Sequence, residues 1–214
     1  TVVSGTETNE VTDMYCVTMV DSHLASTSPT ALQNLTLHAT NVIISDVLNV
    51  LSNITIDAYN VSIVTNGPGA LTPFGQLNFP SSKPLGASAF PRLLTLTNYG
   101  VISVQNIASF GTPAQPLWDF VNHGSVLTLG CSIWATNFEN TGRVDAGPGS
   151  VTLQATSAVL SNGVFNAGRN IVLSSGSLLI SNQVLNAGGS LTIQATNSLT
   201  YGGPTSSTSL SVGD

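Results

Sequence analysis

The carboxylates are the side chains of this sequence that could do chemistry most directly, because paired Asp and Glu residues cleave glycosidic bonds in many enzymes. Such enzymes need two carboxylates that meet at one site. Asp46 and Asp57 lie eleven residues apart, and Asp119 stands alone. Glu139 and Asp145 form the best pair, but they flank a predicted turn. Solvated turn carboxylates explain this pair better than a catalytic dyad does, so we predict no catalytic residues.

The sequence gives no more support for a catalytic nucleophile or a metal site than for a carboxylate pair. Ser is abundant, but no Gly-x-Ser-x-Gly motif marks one as a nucleophile. His23, His38 and His123 lack metal-ligand spacing with one another and with the cysteines. We therefore predict no cofactor and no metal site, and expect the chain not to be an enzyme.

The two cysteines, Cys16 and Cys131, leave two alternatives open. They are either a disulfide between distant coils of an exported protein or two buried free thiols.

Composition limits both the fold and the partners. Charged residues make up 7% of the chain and hydrophobic residues 42%, while Ser, Thr, Asn and Gly supply the polarity. These residues favour strands and turns, so the class is all-β. The four basic residues are scattered and the net charge is −6, which argues against binding nucleic acid or anionic membranes. No apolar run is long enough to span a bilayer.

Internal repetition is the strongest structural signal. The segment 149–156, Gly-Ser-Val-Thr-Leu-Gln-Ala-Thr, recurs forty residues later at 189–196, and a related segment begins at Arg169 between them. Earlier relatives begin at Asn34 and Asn53, and Leu94-Thr95-Leu96 and Val126-Leu127-Thr128-Leu129 extend the set. Alternating apolar residues at a period near twenty predict stacked β-coils whose cores include Leu153, Ile171, Leu173, Leu191 and Ile193.

An Asn-x-Gly motif precedes the later repeats, with steps of 24, 18, 26 and 20 residues between copies. Asn and Gly tolerate left-handed backbone angles, so the motif predicts coil corners rather than a ligand site. The predicted turn residues are Asn98, Gly100, Asn122, Gly124, Asn140, Gly142, Asn166, Gly168, Asn186 and Gly188.

These features predict a single right-handed parallel β-helix, a β-solenoid, over residues 31–203, with a β-sandwich as the alternative fold. Residues 1–30 are expected to form an N-terminal capping or docking segment, and 67–92 a Pro-rich inserted loop. Residues 204–214 read as a Ser/Thr-rich tail.

The segments Phe165-Asn166-Ala167-Gly168 and Leu185-Asn186-Ala187-Gly188-Gly189, each followed by a strand, resemble the β-helical repeats of bacterial filamentous haemagglutinin-type adhesins and autotransporter passengers. The resemblance covers residues 93–203 well and 31–66 in part. It implies export, a fibrous shape and adhesive or structural roles at the cell surface.

The expected function is therefore a non-enzymatic extracellular structural or adhesive module. The alternatives are a carbohydrate-active β-helix enzyme and a glycan- or ice-binding domain. The start at Thr1 fits a processed secreted protein or a fragment. Surface glycans or host proteins are the expected partners of an adhesin.

The ends of the rod are expected to associate, either with a longer parent chain or with another copy to form a head-to-tail filament. The candidate docking residues are Met14, Tyr15, Val17, Met19, Leu210 and Val212.

Two further patterns invite functional interpretation. Six threonines at matching repeat positions could stack in an outward row, as ice-binding solenoids require, but their partner row is chemically mixed. The six are Thr36, Thr55, Thr95, Thr128, Thr152 and Thr192. Asn34, Asn53 and Asn60 match the N-glycosylation pattern, which a repeat placing Asn before a strand produces by chance.

Overall fold

The computed structural model describes residues 31–38, 41–44, 47–64, 76–79, 93–202, 205–206 and 209–213. This part of the chain contains strands and turns and no helix. The strands are β1 (Ala31–His38), β2 (Asn41–Ile44), β3 (Val47–Asp57), β4 (Asn60–Ile63), β5 (Gln76–Phe79), β6 (Thr95–Asn98), β7 (Val101–Val104), β8 (Ile107–Phe110), β9 (Leu117–Asn122), β10 (Ser125–Leu127), β11 (Gly130–Asn140), β12 (Arg143–Asp145), β13 (Val151–Ser161), β14 (Val164–Ala167), β15 (Ile171–Ser181), β16 (Val184–Ala187), β17 (Ser190–Gly202), β18 (Thr205–Ser206) and β19 (Ser209–Gly213).

The strands form two parallel sheets that wind as a solenoid of about seven turns. The nine-stranded sheet has the order β1-β3-β5-β7-β10-β12-β14-β16-β18. The ten-stranded sheet has the order β19-β17-β15-β13-β11-β9-β6-β4-β2, with β8 also paired to β11. Every neighbour comes from the next coil, so the predicted all-β parallel solenoid is confirmed. Parallel crossovers are right-handed in nearly all proteins, and the right-handed course stays a prediction.

The long strands from β11 onward each cover two sides of a coil. β11 pairs with β8 along its first part and with β9 along its second part. In β13 the inward positions change from Val151 and Leu153 to Ala158 and Leu160. Successive side chains alternate along a strand, so this change from odd to even positions requires a bend midway. We call this bend the bend corner.

Two further corners complete the coil. The asparagine corner joins the end of a strand in the ten-stranded sheet to the next strand of the nine-stranded sheet, as at 98–101 and 140–143. The return corner leads back to the ten-stranded sheet, as at 145–151. The coil therefore has three sides.

Matched apolar residues fill the interior. In the nine-stranded sheet one ladder contains Leu48, Leu77, Ile102, Val126, Val144, Phe165 and Leu185, all buried. In the ten-stranded sheet Leu153, Ile171, Leu173, Leu191 and Ile193 are fully buried, which confirms the predicted core. Burying such a side chain contributes about 1.5–3 kcal/mol, so stacking supplies the core that one coil lacks.

The related sequence segments do not all lie on one side of the coil. Asn34–His38 pairs in register with Asn53–Asp57, which precedes β4 as 151–155 precedes the bend corner of β13. The copies at 151–155 and 191–195 lie before the bend corner, whereas Leu96 lies after it, beside Val61. The similarity reflects a shared requirement, because any side of a coil needs alternating apolar residues.

The solenoid continues through two segments that the sequence assigned to other roles. β5 lies inside the predicted loop 67–92 and joins β3 to β7. β18 and β19 lie beyond residue 203 and pair with β16 and β17. β5 joins the stack through Leu77 of the apolar ladder, and β18 and β19 take backbone hydrogen-bond partners from the neighbouring coil. The predicted segment 1–30 lies outside the described residues.

Candidate functional site

A buried ladder of three asparagines organises the asparagine corner. Asn98, Asn122 and Asn140 are in register on successive coils and fully buried. Asn98 Nδ2 donates to Asn122 Oδ1 (2.8 Å), and Asn122 Nδ2 donates to Asn140 Oδ1 (2.7 Å). Buried amides are costly without partners, so this chain of hydrogen bonds keeps them stable inside an apolar core.

The same amides also satisfy the backbone of the turns. Asn98 Oδ1 accepts a hydrogen bond from the Gly100 N–H (3.1 Å), and Asn122 Nδ2 donates to the Arg143 carbonyl (3.2 Å). Asn140 Nδ2 donates to the Gly142 carbonyl (3.1 Å). The ladder thus fixes three successive turns to one another.

The residue after each asparagine faces outward. The rings of Tyr99 and His123 are stacked, with centroids 4.9 Å apart and planes at 26°. His123 Nδ1 lies 2.6 Å from Thr141 Oγ1, a hydrogen bond. Tyr99, His123 and Thr141 therefore form a connected row along the rod axis. Sequence reasoning missed this row because the three residues occupy the variable middle position of the Asn-x-Gly motif.

Glycines at the asparagine corner permit close stacking of the coils. A Cβ on Gly124 would overlap the carbonyl oxygen of Gly100, and one on Gly142 would overlap that of Gly124. Gly163 makes the same approach to Gly142. The reason for glycine here is contact between backbones, and the corner is left without side chains along its centre.

A row from the nine-stranded sheet forms the other wall of this recess, with Val101, Ser125, Arg143 and Val164 on four successive coils. Arg143 forms an ion pair with Asp145 on the same strand. Partial burial raises the pKa of Asp145, but hydrogen bonds from Arg143 and the Gly147 N–H and the charge of Arg143 outweigh it. The net effect lowers the pKa below its usual value, so Asp145 is ionised at neutral pH.

Together these residues enclose an open groove of about 430 Å³, which we call the corner groove. It is lined by three residues from each of four coils: Tyr99-Gly100-Val101, His123-Gly124-Ser125, Thr141-Gly142-Arg143 and Asn162-Gly163-Val164. The fourth turn is one residue longer, because Leu160 is in register with Asn140 and Val164 with Arg143. Its volume falls within the range of small-ligand sites. One wall is aromatic and hydrogen-bonding, the floor is backbone, and the other wall carries one ion pair.

The five Asn-x-Gly copies lie at two different corners. Asn98/Gly100, Asn122/Gly124 and Asn140/Gly142 lie at the asparagine corner, whereas Asn166/Gly168 and Asn186/Gly188 lie at the return corner. The step of 26 residues marks the change. On the later coils Leu160 and Ile180 continue the register of the buried asparagines.

The predicted left-handed angles at Gly168 and Gly188 are not found. Positive φ occurs at Asn162 (57°) and Asn182 (51°), and among glycines at Gly111 and Gly147. Gly188 is required instead because a Cβ there would overlap the carbonyl oxygen of Gly168.

The candidate carboxylate pair does not meet. Glu139 is exposed on β11 in the ten-stranded sheet, and Asp145 lies on β12 in the nine-stranded sheet, around the asparagine corner. Asp119 accepts a hydrogen bond from Asn137 Nδ2 (2.8 Å). In the part of the chain that the structure describes, no group of three or more His, Cys, Asp or Glu residues could share a metal ion.

The predicted threonine row is wrong. Thr36 and Thr55 pair in the nine-stranded sheet, Thr95 pairs with Asp119 in the ten-stranded sheet, and Thr128 is buried. Thr152 and Thr192 lie in one row, with Val172 between them. The coils differ in length, so equal motif positions do not stay in one column.

Cys131 is a free thiol within the core, 2% exposed. It pairs in register with Ala108 and Val151 and occupies a position of the apolar ladder. Burial raises the pKa of its thiol to about 12. Cys16 lies outside the described residues, so the disulfide alternative stays a prediction.

The candidate docking residues divide between described and undescribed segments. Met14, Tyr15, Val17 and Met19 lie outside the described residues. Leu210 and Val212 lie on β19, with Leu191 and Ile193 as their backbone register partners.

A second exposed feature lies at the bend corner. Tyr59, Leu94 and Trp118 occupy equivalent positions on three successive coils, joined by backbone hydrogen bonds from Leu94 N to Tyr59 O and from Trp118 N to Leu94 O. Trp118 is 62% exposed. We call these residues the apolar column.

No family model, curated protein or solved structure matches this chain. Among the described residues no helix is long and apolar enough to cross a membrane. Of the resemblance to adhesin repeats, the parallel β-solenoid fold is therefore the part that is established.

Proposed function

We propose that this chain is a non-enzymatic, extracellular adhesive and structural module that holds a binding surface on a stiff solenoid. The corner groove is the observation that carries the proposal. It combines an open recess, an aromatic pair, hydroxyl and amide groups and a rigid backbone floor. Sites built on regular strands are held more firmly than sites on loops, which suits a surface that must bind under load.

The groups in the groove favour binding over catalysis. His123 is held between the Tyr99 ring and the Thr141 hydroxyl, and Arg143 is paired with Asp145. A general acid at neutral pH needs a raised carboxyl pKa, whereas that of Asp145 is lowered. The polar groups are thus arranged to make fixed contacts.

Adhesion of protein-coated microspheres tests this function. The spheres would be placed on glass coated with neutral polysaccharide, anionic polysaccharide or collagen, and detached by increasing flow. We expect retention above that of albumin-coated spheres on at least one surface, with no release of reducing ends from either polysaccharide. Retention no greater than albumin on every surface would refute the adhesive function, and released sugar would refute the non-enzymatic one.

Export can be tested separately. Antibody detection in the source cells should find the protein at the surface or in the medium, whereas confinement to the cell interior would contradict the proposed location.

A second candidate role, the subunit of a head-to-tail filament, is favoured by the sheet edge at β19. This strand pairs with β17, and no strand of the described chain lies on its other side. A strand of a second copy that paired with β19 as β17 does would form a head-to-tail contact, and such a contact propagates. Light scattering should then show growth with concentration, which Ser209→Lys with Ser211→Lys should suppress. Thr192→Lys is the control, because it adds a lysine to β17, which is already paired with a strand on each side. Monomers at all concentrations would refute the filament.

A further inference from the structure

We propose that the corner groove binds a neutral oligosaccharide laid along the rod axis. This inference names the ligand class of the adhesive surface and therefore rests on the proposed function. It follows from the length of the groove, from the hydrogen-bonding groups that are still available, and from the charge of its walls.

The groove matches a short linear polymer in shape. Its four coils are spaced by about 4.8 Å, the distance between neighbouring strands, so the recess runs about 14 Å along the axis. Equivalent positions repeat on each coil, which provides one set of contacts per step along a repeating ligand. The recess is open along its side, so a linear ligand can enter it laterally.

The backbone of the floor is already satisfied, which argues against an extended peptide. Ser125 N donates to Gly100 O (2.8 Å), Arg143 N to Gly124 O (2.8 Å) and Val164 N to Gly142 O (2.9 Å). Peptides that add a strand gain affinity through main-chain hydrogen bonds. Recognition here must come from side chains.

The available side chains suit a polyhydroxyl ligand. Ser125 offers a hydroxyl, and Thr141 offers one that also contacts His123. Asn162 offers the Nδ2 of its amide, whose Oδ1 accepts from Asn182 Nδ2 (2.9 Å). The two hydroxyls both donate and accept hydrogen bonds, as sugar hydroxyls do. Tyr99 is 45% exposed and supplies an apolar ring with a polar tip, which can pack against the C–H face of a sugar.

The charges favour a neutral ligand. Arg143 is the cation of the groove wall, and the carboxylate of Asp145 pairs with it. The whole chain carries a net charge of −6, which repels polyanions at long range. Arg143, which lines the groove, can still donate to neutral hydroxyls.

Titration with defined oligosaccharides tests the proposal. The probes are cellohexaose, maltohexaose and mannohexaose, with oligogalacturonate as the acidic comparison, and Kd is measured by calorimetry or NMR. We expect at least one neutral probe to bind. Tyr99→Ala should weaken it about tenfold, since an aromatic contact contributes near 1.4 kcal/mol. Ser125→Tyr should also weaken it, because the new ring fills the groove from an outward strand position. Trp118→Ala, which removes an exposed aromatic outside the groove, should change Kd less than twofold.

Unfolding curves of each variant establish whether the fold is retained. If Tyr99→Ala does not fold, Ser125→Tyr still tests the groove, because it leaves the side chains of the asparagine ladder unchanged. Binding of no neutral probe, preference for oligogalacturonate, or equal losses in Trp118→Ala and Tyr99→Ala would overturn the inference. Microspheres that still adhere in that case would leave the adhesive function standing, so the two failures are distinguishable.

Discussion

Asn122 donates from Nδ2 to Oδ1 of Asn140 across 2.7 Å, although the two residues are 18 positions apart in the chain and neither is exposed to solvent. The bond joins the turns of two coils inside the core. In the same register, Ile44 and Ile63 lie before the ladder, and Leu160 and Ile180 lie after it.

Replacing the central amide should destabilise the rod. In Asn122→Leu the buried Asn140 Oδ1 loses the donor that Asn122 provides, and the Arg143 carbonyl loses a contact. We expect a loss of about 1–3 kcal/mol in urea unfolding, the cost of leaving a buried polar group unpaired. Asn137→Leu removes an exposed amide contact and should change stability by less than about 0.5 kcal/mol. Equal stability of the two variants would contradict the role of the ladder.

Truncating one side chain of the apolar ladder should be enough to destabilise the fold. Leu191 is fully buried and pairs with Ile171, so Leu191→Ala should cost about 2–5 kcal/mol. Thr192→Val is the matched control, because the next residue points outward and Val172 already occupies its row. A thermal midpoint of Leu191→Ala equal to that of the control would place Leu191 outside the core.

Gly188 should reject Asn as strongly as Val. Its φ is not positive, and the obstacle is the Cβ itself, which would overlap the carbonyl oxygen of Gly168. Gly188→Asn and Gly188→Val should each cost about 1–3 kcal/mol, the range for overpacking.

At Gly202 a Cβ would meet Ile180 O at 3.9 Å, so Gly202→Ala is the tolerated control. A clearly milder Gly188→Asn would favour backbone conformation over steric contact.

Cys131 should make stability fall at alkaline pH. Its folded pKa is about 12 against an ordinary value of 9.0, so the folded state keeps the proton while the unfolded state loses it. The stability is therefore complete below pH 9 and declines as pH rises from 9 toward 12. Cys131→Val should remove this part of the slope. Parallel slopes for both proteins between pH 8 and 10.5 would show that the thiol is not buried.

The periodic apolar residues made the fold predictable. Leu153, Leu173 and Ile193 recur at a step that only stacked coils place in one ladder, and period two assigns them to the interior. The sequence left the state of Cys131 open, because residue type alone does not distinguish a buried thiol from one half of a disulfide. β18 could not be predicted, because Thr205 and Ser206 contain no apolar residue. Leu210 and Val212 of β19 alternate with serines, but two apolar residues were too few to indicate a further coil.

The corner groove was beyond prediction for a different reason. The motif directed attention to its constant Asn and Gly, while Tyr99, His123 and Thr141 occupy the variable position and share no residue type. The stacking of the coils brings these three residues into one column, although the preceding asparagines are separated by 24 residues in one case and 18 in the other. Position within the coil, rather than similarity of sequence, therefore defines the site.

The change from isoleucine to asparagine and then to leucine along one interior column also distinguishes three successive coils from those on either side. A repeat chain could in principle pair with the wrong neighbour, because most coils offer the same aliphatic ladder. A slip by one coil here would set an amide of Asn98 or Asn140 against a hydrocarbon side chain and leave it without its partner, at a cost of about 1–3 kcal/mol. The three amides therefore favour the native pairing of neighbouring coils over a pairing that is shifted by one coil.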